Sequence, residues 1–120
     1  MSKLQTATVN STRYEPATTP LPIPIPLVLI ADSDADSRAR RADQLRDRGF
    51  RVALARTPFE AIVKASCQIP DLILVDSSLS AEGVEETTEL LSTCPATAHI
   101  PIVRLAAGRR LPPRVFAFAR

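Results

Sequence analysis

A run of four aliphatic residues, Leu72 to Val75, constrains the fold of this chain more than any other stretch. The run is too short for a stable helix, and it lacks the polar alternation of a half-exposed strand. Pro70 stands just upstream and Asp76 follows directly. This pattern is typical of a central parallel strand that is buried on both faces. We therefore expect Asp76 at the carboxyl end of the sheet, the edge where open α/β sheets place ligands and chemistry.

Three further apolar segments predict strands, and they alternate with helical patterns: residues 27–31, 50–55 and 101–106. The first helix is predicted to end near Arg48, before Gly49. The second follows a capping box, and the third spans roughly Glu85 to Thr93. Strands and helices that alternate with short loops predict an α/β domain with a parallel sheet and right-handed crossovers. The ends of the first and third strands would bring Asp32 and Asp76 together.

The periodicity of each helix predicts which face is turned towards the sheet. These inward positions are Ala35, Ala39, Ala42 and Leu45 in the first helix, and Phe59, Ile62, Val63 and Ser66 in the second. The arginines of the first helix are interpreted as a solvated face. Cys67 and Cys94 lack CxxC spacing, and we interpret both as small buried residues in a reducing cytoplasm.

The 120 residues are enough for one domain, which we place at 27–107. Residues 1–26 are predicted to form a flexible tail, since prolines alternate with aliphatic residues before the first strand. Residues 108–120 are predicted to form a basic tail or a short edge strand. The net charge of +2 disfavours nucleic-acid binding, and no apolar run is long enough to span a membrane.

Four segments, taken in order, resemble the receiver domains of two-component response regulators: residues 28–34, 48–50, 70–76 and 99–103. The resemblance runs from about Leu27 to Ala107. It implies a flavodoxin-like, three-layer sandwich with a central parallel sheet of strand order 2-1-3-4. It also implies a signalling domain in the cytoplasm and no enzyme of its own.

The resemblance implies that Asp76 accepts a phosphoryl group from a histidine kinase or phosphotransfer protein. It further implies a Mg²⁺ site formed by Asp32, Asp76 and the backbone of Ser78, with Ser33 in place of an acidic ligand. A hard cation with oxygen ligands would screen the repulsion between the carboxylate nucleophile and the phosphoryl group.

The chain departs from the receiver pattern at several positions. Ser33 replaces an acid, Ala106 replaces a hydroxyl residue that responds to the phosphate, and no lysine follows Lys64. Only residues 108–120 remain for the family's fifth βα unit, which is therefore missing or rebuilt. Arg109 or Arg110 is a candidate substitute for the phosphate-binding lysine.

These departures leave two functions open. One is a phospho-accepting receiver in a phosphorelay. The other is a pseudo-receiver, a phosphorylation-independent module for interaction or dimerisation. A sheet without its last unit would expose apolar surface and an open edge, so we also expect a homodimer.

Overall fold

A computed structural model describes residues 25–79, 81–107 and 109–117 of the chain. Its strands are β1 (Leu27–Ala31), β2 (Arg51–Ala55), β3 (Leu72–Asp76) and β4 (Ile102–Leu105). Its helices are α1 (Ala35–Asp47), α2 (Pro58–Gln68), α3 (Ala81–Thr93) and α4 (Pro113–Phe116), and a 3₁₀ turn, Ser77–Leu79, joins β3 to α3. The predicted tail, 1–26, lies outside the described residues except for Ile25 and Pro26.

The four strands form one parallel sheet in the order β2-β1-β3-β4, which confirms the predicted fold class. β1 and β3 lie in the middle and are buried along their whole length. The register pairs Ala31 with Val75, so that both strands end at the same level. The residues that follow them therefore meet at one edge of the sheet.

Alternate side chains of β1 and β3 pack into two separate hydrophobic cores, one on each face of the sheet. Val28 and Ile30 pack with Leu45 of α1 on one face. Leu29 and Ala31 pack with residues of α2 and α3 on the other. The period of two in the central strands thus produces the expected three layers.

The second helix begins with the predicted capping box. Thr57 Oγ1 accepts a hydrogen bond from the backbone N–H of Glu60 at 3.1 Å, and Pro58 occupies the first turn. The backbone N–H of Arg56 donates to Glu60 Oε1 at 2.8 Å and lowers the pKa of that carboxyl. Since the folded state favours the carboxylate, this cap is present at neutral pH and is lost as the pH falls through the lowered pKa.

The predicted inward face of α2 is wrong in part. Phe59 is 75% exposed and Val63 is 41% exposed, whereas Ala61 and Ala65 are fully buried. The small alanines let the helix backbone approach the sheet closely, and this turns the larger residues outwards. The same rotation exposes Cys67, which was predicted to be buried; Cys94 is partly buried, and neither forms a disulfide.

The predicted inward face of α1 is also shifted. Ala42 and Leu45 are buried as expected, but Ala35 and Ala39 are exposed. Arg41 is buried instead, at 2% exposure. Arg41 is buried because its guanidinium group contacts Asp32 and Asp76 at the edge of the sheet. Burial of Ala35 or Ala39 in its place would remove only one methyl group from water, which contributes less.

The third helix begins at Ala81, four residues before the predicted Glu85. Val84 and Leu91 of this helix are buried. No helix in the described ranges is long and apolar enough to cross a bilayer.

The prediction of a tail or edge strand after residue 107 is wrong for the described part of that segment. Residues 113–116 form the helical turn α4, and Leu111 and Val115 are buried in the core beside α1. Pro112 and Pro113 explain the difference, because neither has an N–H to give to a strand ladder and proline suits the first turn of a helix. Residues 109–117 thus form a short segment that packs against the core where a tail or edge strand was predicted.

We predict that Val115→Ala lowers the free energy of unfolding by about 2 kcal/mol, because the valine is fully buried in the core. Leu90→Ala is the control, since it removes at least as many apolar atoms from a side chain of α3 that is 44% exposed. It should change the stability by less than about 0.5 kcal/mol. Urea denaturation followed by circular dichroism measures both. Equal losses in the two variants would show that the C-terminal segment is not packed.

Candidate functional site

Two buried aspartates meet at the carboxyl edge of the sheet. Asp32 follows β1 and is fully buried, and Asp76 ends β3 at 1% exposure. Nη1 of Arg41 donates to Oδ2 of Asp32 at 3.2 Å and is in direct contact with Oδ2 of Asp76. The sequence-predicted pair is therefore brought together, and a guanidinium group joins the two carboxylates.

Arg41 extends this site beyond the acids. Its Nη2 donates to the backbone carbonyl of Ala106 at 3.0 Å and to that of Arg109 at 2.8 Å. One buried side chain of α1 thus connects the ends of β1 and β3 to the segment after β4.

Sequence reasoning missed Arg41, because it assigned the arginines of α1 to a solvated face. One signal was available: Arg41 stands one turn before the buried Leu45 and one turn after Ser37, at spacings of four. Hydrophobic periodicity gives no weight to an arginine at an inward position. Its acidic partner, Asp76, is 35 residues away in sequence.

The remaining carboxylate oxygens accept hydrogen bonds from the loops beside the site. Asp76 Oδ1 accepts from the backbone N–H of Ser78 at 2.8 Å. Asp32 Oδ1 accepts from the backbone N–H of Asp34 and from Oγ of Ser78, both at 2.9 Å. Every oxygen of the two carboxylates therefore has a donor, which a buried acid requires.

Ser33 and Ser78, the other predicted metal ligands, bond to each other. The hydroxyl of Ser33 donates to the carbonyl oxygen of Ser78 at 2.8 Å, and the backbone N–H of Ser33 donates to Oγ of Ser78 at 3.1 Å. The carbonyl that would face a cation is thus engaged by the residue that replaces an acidic ligand.

This arrangement does not fit Mg²⁺. The oxygens are of the type that Mg²⁺ prefers, but the cation already in contact with both carboxylates is the guanidinium of Arg41. Within the described ranges, no three acidic, histidine or cysteine side chains form a group able to hold a metal. Mg²⁺ binding stays a prediction, and the geometry disfavours it.

Two residues after β4 that the sequence analysis singled out, Ala106 and Arg109, contribute backbone carbonyl groups to the site and not side chains. The arginine beside the acids comes from α1, whereas the side chains of Arg109 and Arg110 are exposed. Ala106 presents its carbonyl oxygen to Arg41, and the N–H of Ala107 donates to Oγ of Ser77 at 3.0 Å.

The charges of the two aspartates explain why Arg41 lies between them. Burial makes an unpaired carboxylate costly, and two neighbouring carboxylates repel each other. Arg41 places one positive charge between them, and donors from Asp34 and Ser78 stabilise the remaining negative charge. The site is a buried charge network, and both of its acids are hydrogen-bonded.

No protein-family model and no curated protein sequence matches this chain. Solved structures do match. The N-terminal domain of a response regulator receiver protein from Methanoculleus marisnigri JR1 is 26% identical, with a TM-score of 0.65, over 76% of this chain and 73% of that one.

Two other solved structures match at lower identity. The chemotaxis response regulator CheY4 of Vibrio cholerae is 22% identical, with a TM-score of 0.65. A response regulator receiver protein from Pseudomonas putida is 21% identical, with a TM-score of 0.64. Each match covers 79% of this chain and 78% of the other. These similarities confirm the resemblance that the sequence motifs carry: the chain has the fold of the response-regulator receiver domains.

Proposed function

We propose that this chain is a receiver-fold signalling module that acts through protein–protein interaction, without phosphorylation of Asp76. The contact between Arg41 and Asp76 carries the proposal. It holds Asp76, the residue that would be the nucleophile, in a buried network in which both carboxylate oxygens are engaged.

The first argument is the state of the nucleophile. An attacking carboxylate needs a free oxygen within reach of the donor. In Asp76, Oδ2 contacts Arg41 and Oδ1 accepts from Ser78, and the residue is only 1% exposed. Phosphorylation would require Arg41 to leave both acids and a donor to enter a closed site.

The second argument is what a phosphoryl group would meet. Receiver domains, as the resemblance implies, use a metal ion, a hydroxyl residue and a lysine around the phosphate. Here Ala106 has no hydroxyl, and the hydroxyl of Ser33 is bonded to Ser78. The parts that would stabilise and report the phosphoryl group are replaced.

The alternative is a phospho-accepting receiver that takes its phosphoryl group from a histidine kinase or phosphotransfer protein. The observation that favours it is the retained pair of Asp32 and Asp76 at one edge of the sheet. This alternative requires a divalent cation to take the place of the Arg41 guanidinium.

The two functions give different masses after treatment with a small phosphodonor and Mg²⁺. We expect the intact protein to keep its mass, because both oxygens of Asp76 are engaged. Intact-mass spectrometry measures this, with Asp76→Ala treated in parallel. A gain of one phosphoryl group that Asp76→Ala abolishes would establish the phospho-accepting alternative instead.

A double-mutant cycle tests whether Arg41 neutralises the acids. Arg41→Met should lower the free energy of unfolding by about 3–5 kcal/mol, because two buried carboxylates lose their shared cation. In an Asp76→Asn background the same substitution should lower the free energy of unfolding by a smaller amount. The difference between the two losses should be roughly 0.5–3 kcal/mol.

Arg46→Met is the control for this cycle, since Arg46 lies on the same helix with a side chain that is 53% exposed. It should change stability by about 0.5 kcal/mol or less. Urea denaturation gives all the values, and Arg41→Lys provides a folded substitute if Arg41→Met does not fold. Additive effects of Arg41 and Asp76 substitutions would argue against a neutralising contact.

We also propose that the interaction includes formation of the homodimer. The dimer was expected because a missing last unit would expose apolar surface, but the C-terminal segment covers the core beside α1. The observation that supports a dimer is instead the exposure of apolar side chains on α2. Phe59 and Val63 are 75% and 41% exposed, which is unusual for large apolar residues that lie near each other on one helix.

Sedimentation velocity tests the dimer. We expect the wild-type protein to sediment as a dimer and Phe59→Ser to shift towards the monomer, because the serine removes the largest exposed apolar surface on α2. Ile25→Ser is the control, since it removes an apolar side chain that is 55% exposed and stands just before β1. A wild-type monomer, or a dimer that Phe59→Ser leaves intact, would speak against this surface.

A further inference from the structure

A groove lies between the C-terminal end of α1 and the segment that follows β4. Its volume is about 850 Å³, which is enough for several side chains of a bound peptide. Apolar residues line part of it, among them Leu111, Pro112 and Phe116. The aspartates of the closed site, Asp32 and Asp76, do not line it.

The polar part of the groove is mostly basic. Arg48, Arg109 and Arg110 line it together with one acid, Asp47. Within the described ranges, none of these three arginines forms an ion pair. Arg48 lies over the ring of Phe116, with its guanidinium carbon 4.2 Å from the ring centroid. The groove therefore combines unneutralised positive charge with apolar surface.

The wall that carries Arg109 and Arg110 is held in place. The carbonyl of Arg109 accepts from buried Arg41 at 2.8 Å, and Pro112 and Pro113 stiffen the chain on the other side. A wall that is already ordered loses less conformational entropy when a ligand binds.

We propose that this groove binds an acidic segment of a partner protein. Glutamate or aspartate side chains would pair with Arg48, Arg109 and Arg110, and an apolar side chain between them would lie against Leu111. A single-stranded nucleic acid fits less well. Arg48 already covers a face of Phe116 on which a base would stack.

The proposal goes beyond the function of the acid pair, because it concerns a different surface and a different class of ligand. It stands whether or not Asp76 accepts a phosphoryl group. The mass measurement above and the binding measurement below can therefore fail independently.

The probe is a fluorescein-labelled peptide rich in glutamate and aspartate that contains one leucine and one phenylalanine. We expect saturable binding to the full chain by fluorescence anisotropy. The double variant Arg109→Glu, Arg110→Glu should bind about tenfold more weakly or worse, because two attractive charges become repulsive. A peptide with serine in place of its two apolar residues should also bind more weakly.

The control is Arg40→Glu, Arg104→Glu, which makes the same change in net charge at two exposed arginines that do not line the groove. Arg104 also gives up an exposed ion pair with Glu85. It should bind within about twofold of the wild-type protein, since distant surface charges are screened by salt. An equal loss in this control would overturn the proposal, as would an absence of wild-type binding. A single-stranded oligonucleotide that binds as tightly and displaces the peptide would also overturn it.

Discussion

The contact between Arg41 and the two aspartates is the constraint on which the other features of the structure depend. A parallel sheet brings Asp32 and Asp76 to one edge and buries them there, which requires a neighbouring positive charge. Arg41 supplies it from α1. The rotation of that helix, the exposure of Ala35 and the position of the segment after β4 are all consistent with this requirement.

The parts of the fold that depend on local pattern could be predicted from the sequence. The apolar runs of β1 and β3 are buried strands, because a continuous aliphatic run has only one compatible environment in a parallel sheet. The start of α2 follows from Thr57, Pro58 and Glu60, which act within a few residues of each other. The meeting of Asp32 and Asp76 follows from topology alone.

The parts that depend on partners distant in sequence could not be predicted in this way. Arg41 is buried because of Asp76, and no window along α1 contains that information. Phe59 is exposed because Ala61 and Ala65 allow closer packing than a larger residue, and periodicity ranks residues by hydrophobicity without regard to shape. The C-terminal segment was misread for a related reason, since the aromatic residues near Phe116 favour a strand while Pro112 and Pro113 direct a helical turn.

The cation between Asp32 and Asp76 is a side chain of the protein itself, that of Arg41. A dissociable ion leaves and returns with its concentration, and a chelator removes it. Arg41 is a covalent part of the chain and is therefore present in every molecule. While Arg41 contacts both aspartates, the positive charge between them is set by the sequence and not by the divalent salts around the protein. A chelator does not remove a charge of this kind.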